Sequence, residues 1–148
     1  MLITPSRKLF YALEAVIFIA YNGLSDPISS HDLATRQGLP KRYLEQLMQK
    51  LVRGGILRGI RGPRGGYLLA RERRRITVGD ICTLLRDEED SPLAFGTPLG
   101  QTLLKPLWDN ASERALGQLH DLNIADLCEQ AARSNILKSA EEKVDFTI

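Results

Sequence analysis

Cysteine and histidine are scarce in this 148-residue chain, which holds two of each. Cys82 and Cys128 form neither a CxxC pair nor any of the Cys/His spacings that bind zinc. Two cysteines also cannot build the disulfide framework that staples small secreted domains. We therefore expect a protein of a reducing compartment, the cytoplasm, that holds no metal and no other cofactor.

The sequence also lacks an apolar run long enough for a membrane. The N-terminal apolar stretch from Leu9 to Ala20 contains Glu14 and falls short of the roughly 20 apolar residues that cross a bilayer. No small-residue cleavage site follows it, as a secretory signal would require. The sequence thus predicts no membrane partner and supports the cytoplasmic assignment.

Motifs for catalysis are missing too. The chain contains no nucleophile elbow, no phosphate-binding loop and no set of carboxylates at metal-ligand spacing. We therefore expect that the protein is not an enzyme.

Positive charge is concentrated in one stretch, although the whole chain is nearly neutral. The chain has 20 Lys and Arg against 18 Asp and Glu, a formal charge of +2. Residues 36–75 hold 12 of the basic and 2 of the acidic residues, which gives +10 for this stretch and −8 for the remainder. A basic block on an otherwise acidic chain is typical of a polyanion site. The alternative, an ordinary solvated surface, does not explain why arginines and glycine-rich turns coincide.

A first helix is predicted from Ser6 to Tyr21. Its apolar face is formed by Leu9, Phe10, Leu13, Val16, Ile17 and Ala20. Asn22 and Gly23 follow, and Gly23 is expected to end the helix in a left-handed conformation.

The next two helices form a helix-turn-helix pattern. A short helix begins at Ser29, which can cap it, and extends through Arg36. Gly38-Leu39-Pro40 then makes a tight connection to a third helix, Lys41–Arg53, whose first turn suits the proline. Helix, short glycine-containing turn and helix is the arrangement of many DNA-binding proteins.

The third helix has one apolar face and one polar face. The apolar face comprises Leu44, Leu47, Met48, Leu51 and Val52, and the polar stripe comprises Arg42, Glu45, Gln46, Gln49 and Arg53. Arginine and glutamine can make paired hydrogen bonds to base edges or bind phosphates. Glu45 can accept a hydrogen bond from cytosine or repel wrong sequences; the alternative is an ion pair with Lys41 or Lys50 on the helix surface.

Two short apolar runs after a glycine pair predict a β-hairpin. The runs are Ile56-Leu57 and Gly66–Leu69, and Gly62-Pro63-Arg64-Gly65 closes them. A hairpin in this place turns a helix-turn-helix into a winged helix. Arg61 and Arg64 lie at its tip, where arginine suits the narrow minor groove of DNA.

A long helix near the C-terminus carries an apolar stripe. A short helix capped by Thr77 and an acidic loop from Asp87 to Thr97 precede it, and a last short helix, capped by Asn123, follows it. The residues at heptad-like spacing are Leu104, Trp108, Ala111, Ala115, Leu119 and Leu122. A stripe of this length needs a partner surface, and a second copy of the chain is the simplest one. Packing on its own winged domain is the alternative.

These elements predict a mainly α protein with a small β wing: a winged helix-turn-helix plus a long C-terminal dimerisation helix. We expect a DNA-binding domain at residues 1–76, connector and dimerisation helices at 77–133 and a polar tail at 134–148. The residues expected to contact DNA are Pro40, Arg42, Glu45, Gln46, Gln49, Lys50, Arg53, Arg61 and Arg64.

Three stretches resemble the Rrf-two-type winged-helix regulators: SRKLFYALEA, LPKRYLEQLMQKLVRGGIL and RGPRGGYLLAR. TVGDI and LLKPLWDNASERALGQLHDLNIADL are similar to the connector and dimerisation helix of that family. The resemblance implies a homodimeric, sequence-specific transcriptional regulator, most often a repressor, on an inverted repeat in double-stranded DNA. It places helix Lys41–Arg53 in the major groove, with Pro40, Arg42, Glu45 and Gln46 at base-reading positions, and Arg61 in the minor groove.

The chain departs from the iron–sulfur members of that family in the loop before the dimerisation helix. Those members have three cysteines there, and some add a histidine. The loop here, DEEDSPLAFGTPLGQTLLKPLW, has neither, and Thr102 and Lys105 stand where the last cysteine and the histidine would fall. Soft thiolates hold such clusters, so the signal is expected to be a small effector near the dimerisation helix or a partner protein, with oxidation of one thiol as a further alternative. The rival function is a protein-interaction adaptor whose acidic loop and tail dock an enzyme, with incidental affinity for DNA.

Overall fold

The computed structural model describes residues 6–86 and 96–135. The helices are α1 (Arg7–Asn22), α2 (Ser30–Gln37), α3 (Lys41–Arg53), α4 (Val78–Leu85), α5 (Lys105–His120) and α6 (Ile124–Arg133), and the strands are β1 (Leu57–Ile60) and β2 (Gly66–Leu69). A turn of 3-10 helix covers Arg73–Arg75, and a π-helical segment, Gly100–Leu104, leads directly into α5. The predicted fold class, mainly α with a small β wing and a long C-terminal helix, is confirmed.

Helix α1 forms the centre of the core. The Ser6 hydroxyl caps it by accepting a hydrogen bond from the Leu9 amide at 3.2 Å. Its buried residues are Ala12, Ala15, Val16, Ile19 and Ala20. Phe10, predicted on the apolar face, is 53% exposed, although its neighbours Leu9 and Tyr11 pack against the core.

The predicted left-handed conformation of Gly23 is wrong. Its φ is −94°, although its amide does close the helix by donating to the Ile19 carbonyl. The glycine is needed for space, since a Cβ at this position would lie 2.7 Å from the Ile19 oxygen. The pattern thus located the end of α1 but gave the wrong reason for it.

The helix-turn-helix follows the predicted boundaries closely. The Ser29 hydroxyl accepts from the Asp32 amide at 3.1 Å and so caps α2. Gly38, with φ of 65°, makes the left-handed turn that ends α2. Helix α3 buries Leu44, Leu47, Met48 and Leu51 and leaves Val52 half-buried.

The wing is an antiparallel pair of four-residue strands. Leu57 pairs with Leu69, and Ile60 pairs with Gly66 at the tip. Ile28, just before α2, adds a bridge to Tyr67 through two backbone hydrogen bonds of 2.8 and 3.1 Å. This bridge fixes the wing against the start of α2.

One hydrophobic core includes residues on both sides of the boundary predicted after residue 76. Ile81 and Leu85 of α4 and Ile124 and Cys128 of α6 belong to the same buried cluster as the α1 residues. The Ile124 amide also donates to the Ile76 carbonyl at 2.8 Å. The division of the chain at residue 76 stays a prediction.

The predicted caps of the C-terminal helices are present. Thr77 and Asp80 form a reciprocal capping box at the start of α4, and the Asn123 side chain accepts from the Asp126 amide at 2.9 Å. Thr97 accepts from the Gly100 amide, and Pro106 lies in the first turn of α5. The acidic loop up to residue 95 and the polar tail beyond residue 135 lie outside the described residues. Within the described ranges, no helix has the length and hydropathy that crossing a bilayer requires.

Candidate nucleic-acid interface

The solvent-facing side of α3 carries the polar side chains that the sequence singled out. Arg42, Gln46, Gln49, Lys50 and Arg53 are exposed, and Pro40 is exposed immediately before the helix. Leucines and a methionine hold the opposite side in the core. Because these two faces are fixed by packing, the polar side chains project from one rigid element.

Glu45 differs from the other polar residues of α3 because it is partly buried and held by two neighbours. The Lys41 ammonium lies 3.8 Å from its Oε1, which is the ion pair considered as the alternative role. The Ser30 hydroxyl, on α2, donates to the same oxygen at 3.3 Å. The sequence pattern did not indicate this contact, since Ser30 lies 15 positions earlier and looked like part of a helix start.

A groove of about 480 Å³ separates α3 from the wing. Gln49 and Arg53 line it from α3, Arg61 lines it from the wing, and Ser29 and Ser30 line it from the start of α2. Burial and the nearby charge of Glu45 raise the pKa of Tyr67, which also lines the groove. The groove therefore brings together predicted contact residues from α3 and from the wing.

The wing tip is a tight turn that exposes its arginines. The Gly65 amide donates to the Gly62 carbonyl at 2.9 Å, and Gly62 has φ of +115°. A Cβ at position 65 would lie 2.2 Å from the Ile60 oxygen. Arg61 and Arg64 are exposed on this turn, as the hairpin pattern predicted.

The basic connector after the wing contains one residue with a bracing role. Arg71 donates from Nε to the Gly55 carbonyl, at 3.2 Å, and its guanidinium lies 3.9 Å from Asp80. It thus ties the end of α3 to the start of α4. Arg73, Arg74 and Arg75 are exposed, and Arg75 lies 4.0 Å from Glu72.

A second surface is apolar and lies on the long helix. Trp108, Leu104 and Leu122 of the predicted stripe are 47%, 44% and 38% exposed; Ala111 is exposed, and Ala115 and Leu119 are half-buried. The pattern missed three exposed leucines on and before this helix, Leu99, Leu103 and Leu107. Their spacing of four was visible in the sequence, but the π-helical segment shifts the register between Leu99 and Leu107. Together these residues form a surface that we call the α5 apolar surface.

Comparison with known proteins identifies one family. A family model described as Rrf2, an iron-dependent transcriptional regulator, matches residues 5–130. The HTH-type transcriptional regulator IscR of Cronobacter sakazakii is 33% identical over 121 residues, which cover 79% of this chain and 75% of that protein. The same regulator from Serratia proteamaculans is 34% identical over 121 residues, 79% of this chain and 74% of that protein.

The two cysteines of this chain do not suit an iron–sulfur cluster, although the family's description mentions iron. An iron–sulfur cluster takes about four ligands, mostly thiolates, and this chain has Cys82 on α4 and Cys128 on α6. Burial raises the pKa of both thiols and so disfavours the thiolate. In residues 6–86 and 96–135, no group of three or more His, Cys, Asp and Glu side chains is arranged to hold a metal ion.

Solved structures agree with the sequence relatives. The T. potens IscR structure superposes with a TM-score of 0.74 at 31% identity and covers 95% of this chain and 96% of that one. CymR, the global cysteine regulator of B. subtilis, superposes with a TM-score of 0.69 at 28% identity, covering 86% of this chain and 98% of that one. The chain therefore belongs to the Rrf2 family of transcriptional regulators.

Proposed function

We propose that two copies of this transcriptional regulator bind an inverted-repeat operator in double-stranded DNA and repress transcription from it. Each copy would place α3 in a major groove and its wing in the adjacent minor groove. One observation carries this proposal: the groove between α3 and the wing, which Gln49 and Arg53 line on one side and Arg61 on the other. A protein groove with an arginine on each side suits the negatively charged sugar–phosphate backbone that separates the major groove of DNA from the minor groove.

The start of α3 would read bases. Pro40, Arg42, Glu45 and Gln46 lie at this end of the helix, and Arg42 and Gln46 are exposed. Arginine binds guanine and glutamine binds adenine through pairs of hydrogen bonds, whereas a carboxylate accepts from the cytosine amino group. Gln49, Lys50 and Arg53 lie farther along the helix, where they would bind phosphates or flanking bases.

The wing would contribute shape readout. Arg61 and Arg64 are exposed on a turn that two glycines keep narrow. A narrow minor groove concentrates negative potential and attracts inserted arginines. We expect these two residues to favour A·T-rich flanks without hydrogen-bonding to particular bases.

Two copies would associate through the α5 apolar surface. Leu99, Leu103, Leu107 and Trp108 are each about half exposed or more, and a large exposed apolar patch on a small protein commonly marks an interface. A two-fold dimer presents two α3 helices related by the same axis, so its operator is expected to be an inverted repeat.

Selection of bound duplexes from a random pool, followed by binding titrations, tests the DNA-binding part. The purified protein should enrich a two-fold symmetric site, and log affinity should fall linearly with log salt concentration. In vitro transcription from a promoter that overlaps the selected site tests repression, and added protein should lower transcript yield. Enrichment of no sequence, or a salt-independent affinity, would contradict the proposal.

The protein would act in the cytoplasm with the chromosome. Because its cysteines do not fit a thiolate-bound cluster, we infer that a small effector or a partner protein changes its affinity for DNA.

A further inference from the structure

A hydrogen bond joins the two helices of the helix-turn-helix at Glu45. Ser30, the first residue of α2, donates from its hydroxyl to Oε1 of Glu45 at 3.3 Å. The neighbouring Ser29 has a different task, because its hydroxyl caps α2 by accepting from the Asp32 amide. Two adjacent serines therefore serve two different helices.

Lys41 is the other neighbour of the same carboxylate oxygen. Its ammonium lies 3.8 Å from Oε1, and the lysine and glutamate side chains are 60% and 43% exposed. An exposed ion pair one helical turn apart is weak and is screened by salt. The short serine side chain has a single rotatable bond to its hydroxyl and so constrains the carboxylate more firmly than the long lysine does.

The position of Ser30 connects this contact to the groove. Ser30 lines the groove between α3 and the wing, together with Gln49, Arg53 and Arg61. Both contacts reach Oε1 of Glu45, and a carboxylate has two oxygens with about four acceptor sites. The carboxylate therefore keeps acceptor capacity for a base while its orientation is fixed from α2.

We propose that Ser30 is a positioning residue for operator specificity: its hydroxyl orients the Glu45 carboxylate so that Glu45 prefers cytosine at one position of each half-site. The inference rests on the proposed DNA-binding function. In the major groove cytosine offers an amino donor, whereas guanine offers two acceptors that would repel a fixed carboxylate. A carboxylate free to rotate could turn away from these acceptors, so that discrimination would fall more than affinity.

The test uses the full-length protein and its selected duplex, with each of the four base pairs placed at the position where Glu45→Ala loses preference. Glu45→Ala should lose roughly 5- to 100-fold of discrimination there, and Ser30→Ala should lose roughly ten-fold at the same position. Ser30→Thr, which keeps the hydroxyl, should retain the preference. Ser6→Ala is the matched control: it also removes a serine hydroxyl, the one that caps α1, but Ser6 is not part of the groove lining. It should lower thermal stability while preserving the base preference.

Ser30→Ala combined with Glu45→Ala should discriminate no worse than Glu45→Ala alone, because the serine acts through the glutamate. Equal loss of affinity for all four base pairs in Ser30→Ala would overturn the inference, since that result indicates only packing of α2 on α3. The inference would also be overturned if the double variant lost as much discrimination as the two single variants together. A wild-type protein that enriches no duplex would instead overturn the proposed function, and the inference with it.

Discussion

His120 Nδ1 lies 3.2 Å from the hydroxyl oxygen of Thr77, so the last residue of α5 contacts the first cap of α4. The same nitrogen lies 3.6 Å from Asp80, the second member of that capping box. Gly79 makes room for the imidazole ring. A Cβ at position 79 would lie 2.4 Å from Cγ of His120.

A chain of polar contacts continues from Asp80 toward the end of α3. Asp80 lies 3.9 Å from the Arg71 guanidinium, and Arg71 donates to the Gly55 carbonyl just beyond α3. The end of the long helix is thus connected to the end of α3 through three charged or polar side chains. We therefore expect the position of His120 to matter for stability.

Gly79→Ala should destabilise the protein by about 1–3 kcal/mol, the usual range for overpacking. The reason is that the new methyl group would displace a ring and break its contacts with Thr77 and Asp80. Urea denaturation at one fixed protein concentration measures this, since dimerisation would make stability concentration-dependent.

The control for this prediction is the same Gly79→Ala substitution made in a protein that also carries His120→Ala. Without the ring, Gly79→Ala should be neutral or should stabilise the helix by up to about 1 kcal/mol, because alanine has the higher helix propensity. An equal destabilisation in both backgrounds would show that the clash with His120 is not the cause.

Arg61→Ala should weaken operator binding by about 1–3 kcal/mol and relax the preference for A·T-rich flanks. Arg58→Ala is the matched control: it also removes an exposed arginine from the wing, but Arg58 does not belong to the groove lining. Its effect should be smaller and equal for all sequences. Fluorescence anisotropy with duplexes that differ only in the flank separates the two variants, and equal behaviour of both would refute the wing assignment.

Removing the charges of Arg73, Arg74 and Arg75 should change the affinity for DNA in a different way from Arg61→Ala and Arg58→Ala. These residues are exposed on the connector, so they are expected to face phosphates or solvent and not base edges. Their replacement by alanine should weaken binding to all sequences alike. The salt slope should fall by about one unit for each phosphate that the protein no longer neutralises. A change in base preference would contradict this.

Local patterns predicted much of this molecule because helices and hairpins depend on neighbours in sequence. The faces of α3 followed from residue spacing, and the caps at Ser29, Thr77 and Asn123 followed from short side chains next to apolar runs. The wing followed from glycines that its turn requires. Each of these features is decided within one short, continuous stretch of chain.

Features that depend on distant parts of the chain could not be predicted in this way. The contact between Ser30 and Glu45 spans 15 positions, and that between Thr77 and His120 spans 43. Phe10 lies on the apolar side of α1, yet it is 53% exposed, because periodicity shows which side is apolar and not how far other elements cover it. Leu107 is a different case: its spacing of four from Leu103 is local, but the heptad-like stripe was placed one position farther along, through Leu104 and Trp108.

Trp108→Glu should convert the proposed dimer into monomers, or into insoluble protein if the monomer is unstable. Trp108 belongs to the α5 apolar surface and is 47% exposed in one copy, so a charge there would be buried without a partner at a two-fold interface. Glu113→Lys is the control, because Glu113 is exposed on α5 and lies about 140° around the helix from Trp108 and about 120° from Leu107. Light scattering at micromolar concentration measures the mass, and a monomeric wild-type protein would defeat the dimer proposal.

The last prediction is that the protein does not sense its signal through a thiolate-bound iron–sulfur cluster. Such a cluster needs about four ligands at one point, whereas Cys82 and Cys128 lie on separate helices and Cys128 is 3% exposed. Burial raises the pKa of both thiols, and metal binding would first have to deprotonate them. A dimer doubles the number of thiols without removing either obstacle.

Protein prepared anaerobically with iron and sulfide should therefore be colourless, and its affinity for the selected operator should be the same with and without these additions. Cys82→Ala combined with Cys128→Ala should bind the operator as the unmodified protein does, since neither side chain is in the groove lining. The free energy of unfolding of the double variant is measured alongside. Alanine is smaller than the buried Cys128 and leaves a cavity, which lowers stability without changing any contact with DNA. A brown preparation with stoichiometric iron that loses its colour in the double variant would refute the prediction, because it would require both thiols to leave their buried positions and converge on one cluster.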